Sequence, residues 1–296
     1  MYKIAILGSE NSHAINFAQL INGGHPMREG RGYSDFKVIG AYGYDEKANK
    51  ELLEKGGVEY IADHYTDFVG KVDAVMITAR HGDDHFKFAE PYLKSGIPMF
   101  VDKPITIDED EAIQLAKMAK EKNIPLCGGS SLGLVTQTQY LKNLVKNPPE
   151  FFGKIMGGTV CAPISMKNDY GDFFFYSQHL VQISLEIFGY DLNSVFAFGR
   201  DDTVTAIGRY ENYDVSNHYG SYCYAATVYG NNLNAYREID FFTDGYAREV
   251  EMFADMVRAG KMHQSYSDFI KPVFVLNAIK RSLDTGNEIK IRKIDI

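Results

Sequence analysis

The chain has 296 residues, 45% hydrophobic and 24% charged, with a net charge of −8. That length exceeds one ordinary α/β domain and predicts two, each with its own core. The acidic balance excludes a dominant basic surface for nucleic acid or anionic membrane, and Cys127, Cys161 and Cys223 lie too far apart for a CxxC zinc site or a disulfide framework.

From residue 1 to 125 apolar runs and helical segments alternate. Lys3–Leu7 reads as a strand ending at Gly8, followed by a helix over Ser12–Ile21. Strands over Lys37–Ala41, Val72–Thr78, Pro98–Val101 and Ile124–Cys127 alternate with helices over Glu46–Lys55, Asp84–Ser95 and Asp108–Lys122. The last helix opens with Asp108 and Glu111, the spacing of a capping box. Strand–helix–strand alternation predicts right-handed βαβ units and a parallel sheet.

A helix over Thr136–Val145 and the breaker Pro148-Pro149 introduce a different grammar. Lys154–Cys161, Ser194–Phe198, Val204–Tyr210, Ser221–Tyr229 and Asn234–Phe242 read as strands, interrupted by one helix near Ser177–Phe188. Helices over Gly245–Ala259 and Ser267–Leu283 close the chain. The expected architecture is a Rossmann-like domain over 1–125 and, over 126–296, an α+β domain with an open-faced, mostly antiparallel sheet. A first strand at Tyr2 leaves no room for a leader, and no apolar run approaches the roughly 18 residues of a membrane span. With so few cysteines, the expected compartment is a reducing cytoplasm.

Lys103 carries the most chemical information. It ends the apolar run Met99–Asp102 and stands where an open parallel sheet points its carboxyl edge at a ligand crevice. Pro104 biases it toward extended backbone, which aims the amine. The turn Gly8-Ser9-Glu10-Asn11-Ser12-His13 occupies the place of a dinucleotide fingerprint, but of its three glycines only Gly8 is present; Glu10 and His13 replace the others. Glu10 would repel a pyrophosphate unless turned outward or paired. Asp45, after the second strand, is placed either to meet a ribose or to cap the next helix.

His81, Asp83, Asp84 and His85 have the spacing of a metal cluster. The plainer reading is a loop in which His85 faces a cofactor and an aspartate caps a helix; no metal is expected. Asn168–Asp172, which includes Asp169, is either a turn or a surface for substrate hydroxyls. Tyr219, Tyr222, Tyr224, Tyr229 and Tyr236 suit a sugar-binding face or a subunit interface.

Thr78-Ala79-Arg80 with His85, followed by Asp102-Lys103-Pro104, resembles the Thr-Pro-Asn…His and Glu-Lys-Pro blocks of the glucose–fructose oxidoreductase / inositol dehydrogenase (Gfo/Idh/MocA) family. Gly153-Lys154-Ile155, the block from Gly171 through His179 to Gly189, and the tail from Phe253 to Ile289 extend the likeness over nearly the whole chain. The resemblance implies an NAD- or NADP-dependent oxidoreductase acting on a sugar-like or polyol carbon, in a homodimer or homotetramer. It implies Lys103 and His179 as catalytic residues at the substrate hydroxyl. The cofactor is expected at Gly8, Glu10, Asn11, Ser12, His13, Asp45, Thr78, Ala79, Arg80, His85, Asp102 and Lys103. Substrate is expected at Lys103, Asp169, Tyr176, His179 and Gln182. Four residues before His179 the family has an aspartate that completes a proton relay, and three residues after it another; this chain has Phe175 and Gln182. Those departures leave two other readings open: a ligand- or cofactor-sensing module, or a bound cofactor used for redox-assisted elimination.

Overall fold

The computed structural model describes residues 1–240 and 244–296. They form two compact units, one made of Met1–Gly129, Tyr246–Phe269 and Ile296, the other of Ser130–Gly245 and Ile270–Asp295. The segment Tyr246–Phe269 therefore packs with the first unit, although it follows the second unit's strands in sequence. Among the described residues no helix is long and apolar enough to cross a membrane.

The first unit runs β1 (Tyr2–Leu7), α1 (Ser12–Asn22), β2 (Phe36–Tyr42), α2 (Glu46–Lys55), β3 (Tyr60–Ile61), β4 (Ala74–Ile77), α3 (Asp83–Lys94), β5 (Met99–Asp102), α4 (Glu109–Glu121) and β6 (Leu126–Gly129). Its six-stranded sheet has the order β3-β2-β1-β4-β5-β6, and every pairing is parallel. The order reverses between β1 and β4, and such a reversal opens a crevice beyond the carboxyl ends of the strands. The expected Rossmann-like sheet is present, with the short edge strand β3 added. Apart from β3, its strands are buried on both faces, which is why they read as continuous apolar runs rather than alternating ones.

Asn11 starts α1: its backbone is extended and its side-chain oxygen accepts from His13 N–H. The helix then buries His13, Ala14, Phe17, Ala18, Leu20 and Ile21. Phe17 and Ile21 join Ile4, Ile6 and Phe100 in one apolar cluster, at about 1.5–3 kcal/mol per large side chain buried. Asp108 caps α4 through bonds from Asp110 and Glu111 N–H, but the expected reciprocal bond is absent. The Glu111 carboxylate instead accepts from Thr106 Oγ1, which in turn accepts from Asp108 N–H.

The second unit contains α5 (Thr136–Lys146), β7 (Ile155–Ala162), α6 (Phe173–Phe188), β8 (Ser194–Arg200), β9 (Thr203–Arg209), β10 (Asp214–Tyr219), β11 (Ala225–Gly230) and β12 (Asn234–Glu238). After it come α7 (Gly245–Ala259), then α8 (Tyr266–Thr285), whose first turn belongs to the first unit, and β13 (Ile289–Lys290). The sheet order is β12-β11-β7-β10-β9-β8-β13, antiparallel except where β10 pairs with β7. This is the mostly antiparallel sheet expected. β10 itself, Asp-Val-Ser-Asn-His-Tyr, escapes sequence reading because its polar positions are poor strand formers. Phe241 and Phe242, assigned from sequence to the last long strand, lie outside the described residues.

Helix α6 begins one turn earlier than its sequence pattern predicts, at Phe173 rather than Ser177. It lies on the sheet through Gly158, where an added Cβ would come within 2.1 Å of the Phe188 ring. Tyr219 is fully buried beside Phe173, so it belongs to the core and not to the aromatic surface read from sequence.

Candidate functional site

The first unit gathers most of the predicted residues at the carboxyl ends of β1, β4 and β5. Gly8 has φ +103°, and a Cβ there would fall 2.2 Å from Ala79 N, so the approach of the two turns requires glycine. Thr78 Oγ1 donates to the Gly8 carbonyl at 2.7 Å. Arg80 N–H donates to Glu10 Oε1 at 2.9 Å, which turns the Glu10 carboxylate onto the segment after β4. This is the pairing that makes an acidic residue tolerable in the turn. Ser9 Oγ is buried there with no hydrogen-bond partner among the described residues, a polar atom suited to a ligand at this turn.

Three side chains take a structural part. His85 is fully buried, its Nε2 lying 2.8 Å from the Ala79 carbonyl, so it braces the backbone after β4 instead of facing an open crevice. Asp45 caps α2, its Oδ1 accepting from Lys47 N–H at 2.9 Å and Ala48 N–H at 3.0 Å. His81 Nδ1 accepts from Asp83 N–H at the start of α3. Ser12 is exposed on the first turn of α1, 3.4 Å from the Tyr246 hydroxyl.

The centre of the unit is Asp102. Its side chain is fully buried, accepts from Asn11 Nδ2 at 2.9 Å and from Lys103 N–H at 2.7 Å, and lies 2.7 Å from His13 Nδ1 in a close but poorly aligned contact. Burial alone would raise its pKa; the opposing pull of His13, helped by Lys103 and His85, holds it below the ordinary carboxylate value. His13 stands where the fingerprint has its third glycine. Its ring fills that space, meeting the Tyr246 ring edge-on at 4.8 Å.

Lys103 follows directly and is 6% exposed. Burial pushes its ammonium below the ordinary lysine value; the Asp102 and Glu249 carboxyls oppose that, and Arg80 adds to it. Glu249, on α7, is a residue sequence reading missed. It is fully buried, and neither carboxyl oxygen has a hydrogen-bond partner among the described residues. Burial drives its pKa well above the carboxylate range, the Asp102 charge works the same way, and Lys103 counteracts. The sequence does hold a signal: Glu249, Phe253 and Met256 share one helical face, and a lone carboxylate on an apolar stripe needs a reason.

In the second unit, His179 is buried on α6, with its Nδ1 2.7 Å from Ser130 Oγ and its ring 5.8 Å from that of Tyr224. Tyr224 thus faces α6, while Tyr222 and Tyr236 are exposed. Phe175, in the relay position, is buried against the Tyr170 ring at 5.1 Å. Gln182 is not brought to His179: its amide donates to Tyr190 Oη, which bonds Glu186, itself paired with Lys142. Tyr176 is exposed, its ring 6.1 Å from that of His179, and Asp169 is exposed in a loop that Asn168 ties to Ser165 and Asp172. Among the described residues no group of His, Cys, Asp and Glu has metal-binding geometry.

Comparison with known proteins adds four findings. Residues 3–129 match the family described as oxidoreductases with an NAD-binding Rossmann fold, Gfo/Idh/MocA. A UDP-N-acetylglucosamine 3-dehydrogenase of Acidithiobacillus ferrooxidans is 31% identical over 83 residues, 28% of this chain and only 26% of that protein. Among solved structures, a myo-inositol 2-dehydrogenase from Lactobacillus plantarum superposes with a TM-score of 0.83 at 18% identity, covering 98% of this chain and 99% of that one. A scyllo-inositol dehydrogenase from Lactobacillus casei, with bound NAD(H) and scyllo-inositol, superposes with a TM-score of 0.82 at 16% identity, covering 98% and 99%. At that identity the structural likeness carries the fold.

The raised pKa of Glu249 makes stability depend on pH. A carboxyl raised in the folded state stabilises fully below its ordinary value of about 4.3, and that contribution is lost as pH climbs through the raised value. Glu249→Gln removes the slope, so the variant's melting temperature should gain on the wild type as pH rises above about 4.3. Thermal melts across the acid-to-neutral range check this; two curves that stay parallel would contradict it.

Proposed function

We propose that the chain, whose residues 3–129 match the Gfo/Idh/MocA oxidoreductase family, is an NAD- or NADP-dependent oxidoreductase acting at a hydroxyl-bearing carbon of a sugar or polyol. The observation that carries the reading is Lys103, a buried lysine at the carboxyl end of β5 with its ammonium pushed below the ordinary value. The Gly8 turn, Ser9, Asn11 and the segment Thr78–Arg80 would hold the dinucleotide, and the buried Ser9 hydroxyl supports that fit. Bound nicotinamide supplies the hydride acceptor or donor.

The chain's own residues handle the proton. A lysine that loses its proton more readily than usual can accept one from the substrate hydroxyl in the oxidative direction and return it in the reductive one. Asp102 fixes the backbone from which the amine projects, because its carboxylate holds Lys103 N–H and Asn11 together. Acid–base catalysis of this kind contributes about 10²–10⁴-fold. His179 would contact the substrate oxygen, held by Ser130 and not by a carboxylate. That neutral partner, with Phe175 in the relay position, is also what would suit a sensing module.

The second unit exposes Phe198, Tyr222 at 92% and Tyr236 at 56%. A further copy of the chain covering these aromatics would remove their rings from water. Free thiols at Cys127, Cys161 and Cys223 suit a reducing cytoplasm.

Calorimetric titration with NAD⁺, NADH, NADP⁺ and NADPH tests the reading: at least one nucleotide should bind, and binding weaker than about millimolar for all four, roughly −4 kcal/mol, would remove it. Lys103→Ala should then abolish turnover with nucleotide affinity kept, whereas His179→Ala should mainly raise KM; undiminished turnover in Lys103→Ala contradicts the assignment. Light scattering at micromolar concentration should give a dimer or larger, and a monomer would leave the aromatic face for substrate instead.

A further inference from the structure

The second unit contains a buried hydroxyl–imidazole pair whose chemistry is set by how its neighbours hold it. Ser130 follows β6 directly. Gly128 and Gly129, at φ +131° and +87°, turn the chain out of the strand, and Ser130 caps the single 3-10 turn Ser131–Gly133. That turn lies tight on α6: a Cβ on Gly133 would come within 3.1 Å of both Gln182 Cγ and Glu186 Cγ. The close approach fixes where Ser130 stands relative to His179, one turn before Gln182 on the same helix. Both side chains are buried.

Hydrogen-bond counting then decides the direction of the 2.7 Å contact between Ser130 Oγ and His179 Nδ1. Ser130 Oγ already accepts from Leu132 N–H at 3.2 Å. A serine hydroxyl has one proton and two acceptor sites. If Nδ1 donated, the hydroxyl would accept twice and its own buried proton would need an acceptor, which the described residues do not provide. If the hydroxyl donates to Nδ1, its proton, the Nδ1 lone pair and Leu132 N–H are all satisfied, and the bond from Leu132 N–H polarises the hydroxyl in the favourable sense.

We infer that Ser130 is the positioning residue that sets the tautomer of His179, leaving Nδ1 unprotonated and the proton on Nε2. An aspartate in its place would do the reverse: a carboxylate can only accept, so it would hold Nδ1–H and free Nε2 as a base. Here His179 presents a donor. Taken with the proposed oxidoreductase function, on which this role rests, His179 hydrogen-bonds the substrate oxygen as it gains negative or carbonyl character and does not remove its proton. The proton transfer then belongs to Lys103 alone. Phe175, which cannot orient an imidazole, fits that division.

The tautomer is measurable without cofactor or substrate. Full-length protein labelled with 15N at histidine, assigned through a His179→Asn variant, reports each ring nitrogen separately at a pH where the imidazole is neutral. The wild type should show an unprotonated Nδ1 and a protonated Nε2. Ser130→Thr should keep that pattern. Ser130→Ala should weaken the preference by about five- to tenfold, the worth of one buried hydrogen bond, and Ser130→Asp should move the proton to Nδ1. A protonated Nδ1 in the wild type, or an unchanged tautomer in Ser130→Ala, overturns the inference; if Ser130→Ala does not fold, the wild-type and Ser130→Thr spectra decide it. Because no nucleotide is present, failure here leaves the proposed function standing, and failure of nucleotide binding leaves the tautomer assignment standing.

Discussion

The first unit depends on one buried carboxylate. Asp102 sits at the end of β5 with no exposure, and its charge is made tolerable by two donors, Asn11 from the start of α1 and the Lys103 backbone N–H, and by the nearby His13 ring. A charge so enclosed is stable only while its partners remain, and removing one partner of such a pair costs about 3–5 kcal/mol. The same contacts tie the β1–α1 turn to the strand that delivers Lys103. The turn after β1 and the Lys103 amine are thereby tied to one group, and the turn stands with a single fingerprint glycine by other means. His13 fills the volume a glycine would have left and pairs with Asp102; Glu10 finds a backbone donor in Arg80.

Much of this was legible in the sequence, and the reason is local. Parallel strands buried on both faces leave unbroken apolar runs, so β1, β2, β4 and β5 announce themselves, and Lys103 stands out because a charge ends such a run. Asn11, His13, Asp102 and Lys103 were all expected near one ligand site, and they are neighbours. The misses were groups whose meaning depends on distant chain. Glu249 comes from a helix far along the sequence, and only packing brings it toward Asp102. Ser130 looks like an ordinary turn residue until α6 lies beside it. β10 was hidden because Ser216, Asn217 and His218 favour loops locally, and its pairing with β7 and β9 overrides that preference.

In the second unit a neutral group stands beside the imidazole, and the difference from a charged one is chemical. A carboxylate beside an imidazole stabilises its protonated form, whereas a hydroxyl only orients the ring. With Phe175 packed against Tyr170, and Gln182 engaged by Tyr190, Ser130 is the group that holds Nδ1 of His179. On the proposed function, the movable proton belongs to the Lys103 amine. That amine stands among Asp102, Glu249 and Arg80, whose charges pull in opposite directions, so desolvation decides the net result.

The protonation of Lys103 in the protein without ligands is therefore the decisive quantity. Lysine-selective 13C labelling, with the Lys103 signal assigned through a Lys103→Met variant, follows that one amine through an alkaline titration. The midpoint should lie below that of the exposed lysines in the same spectrum. A midpoint equal to or above theirs would mean that the surrounding carboxylates outweigh burial, and Lys103 could not serve as the proton carrier.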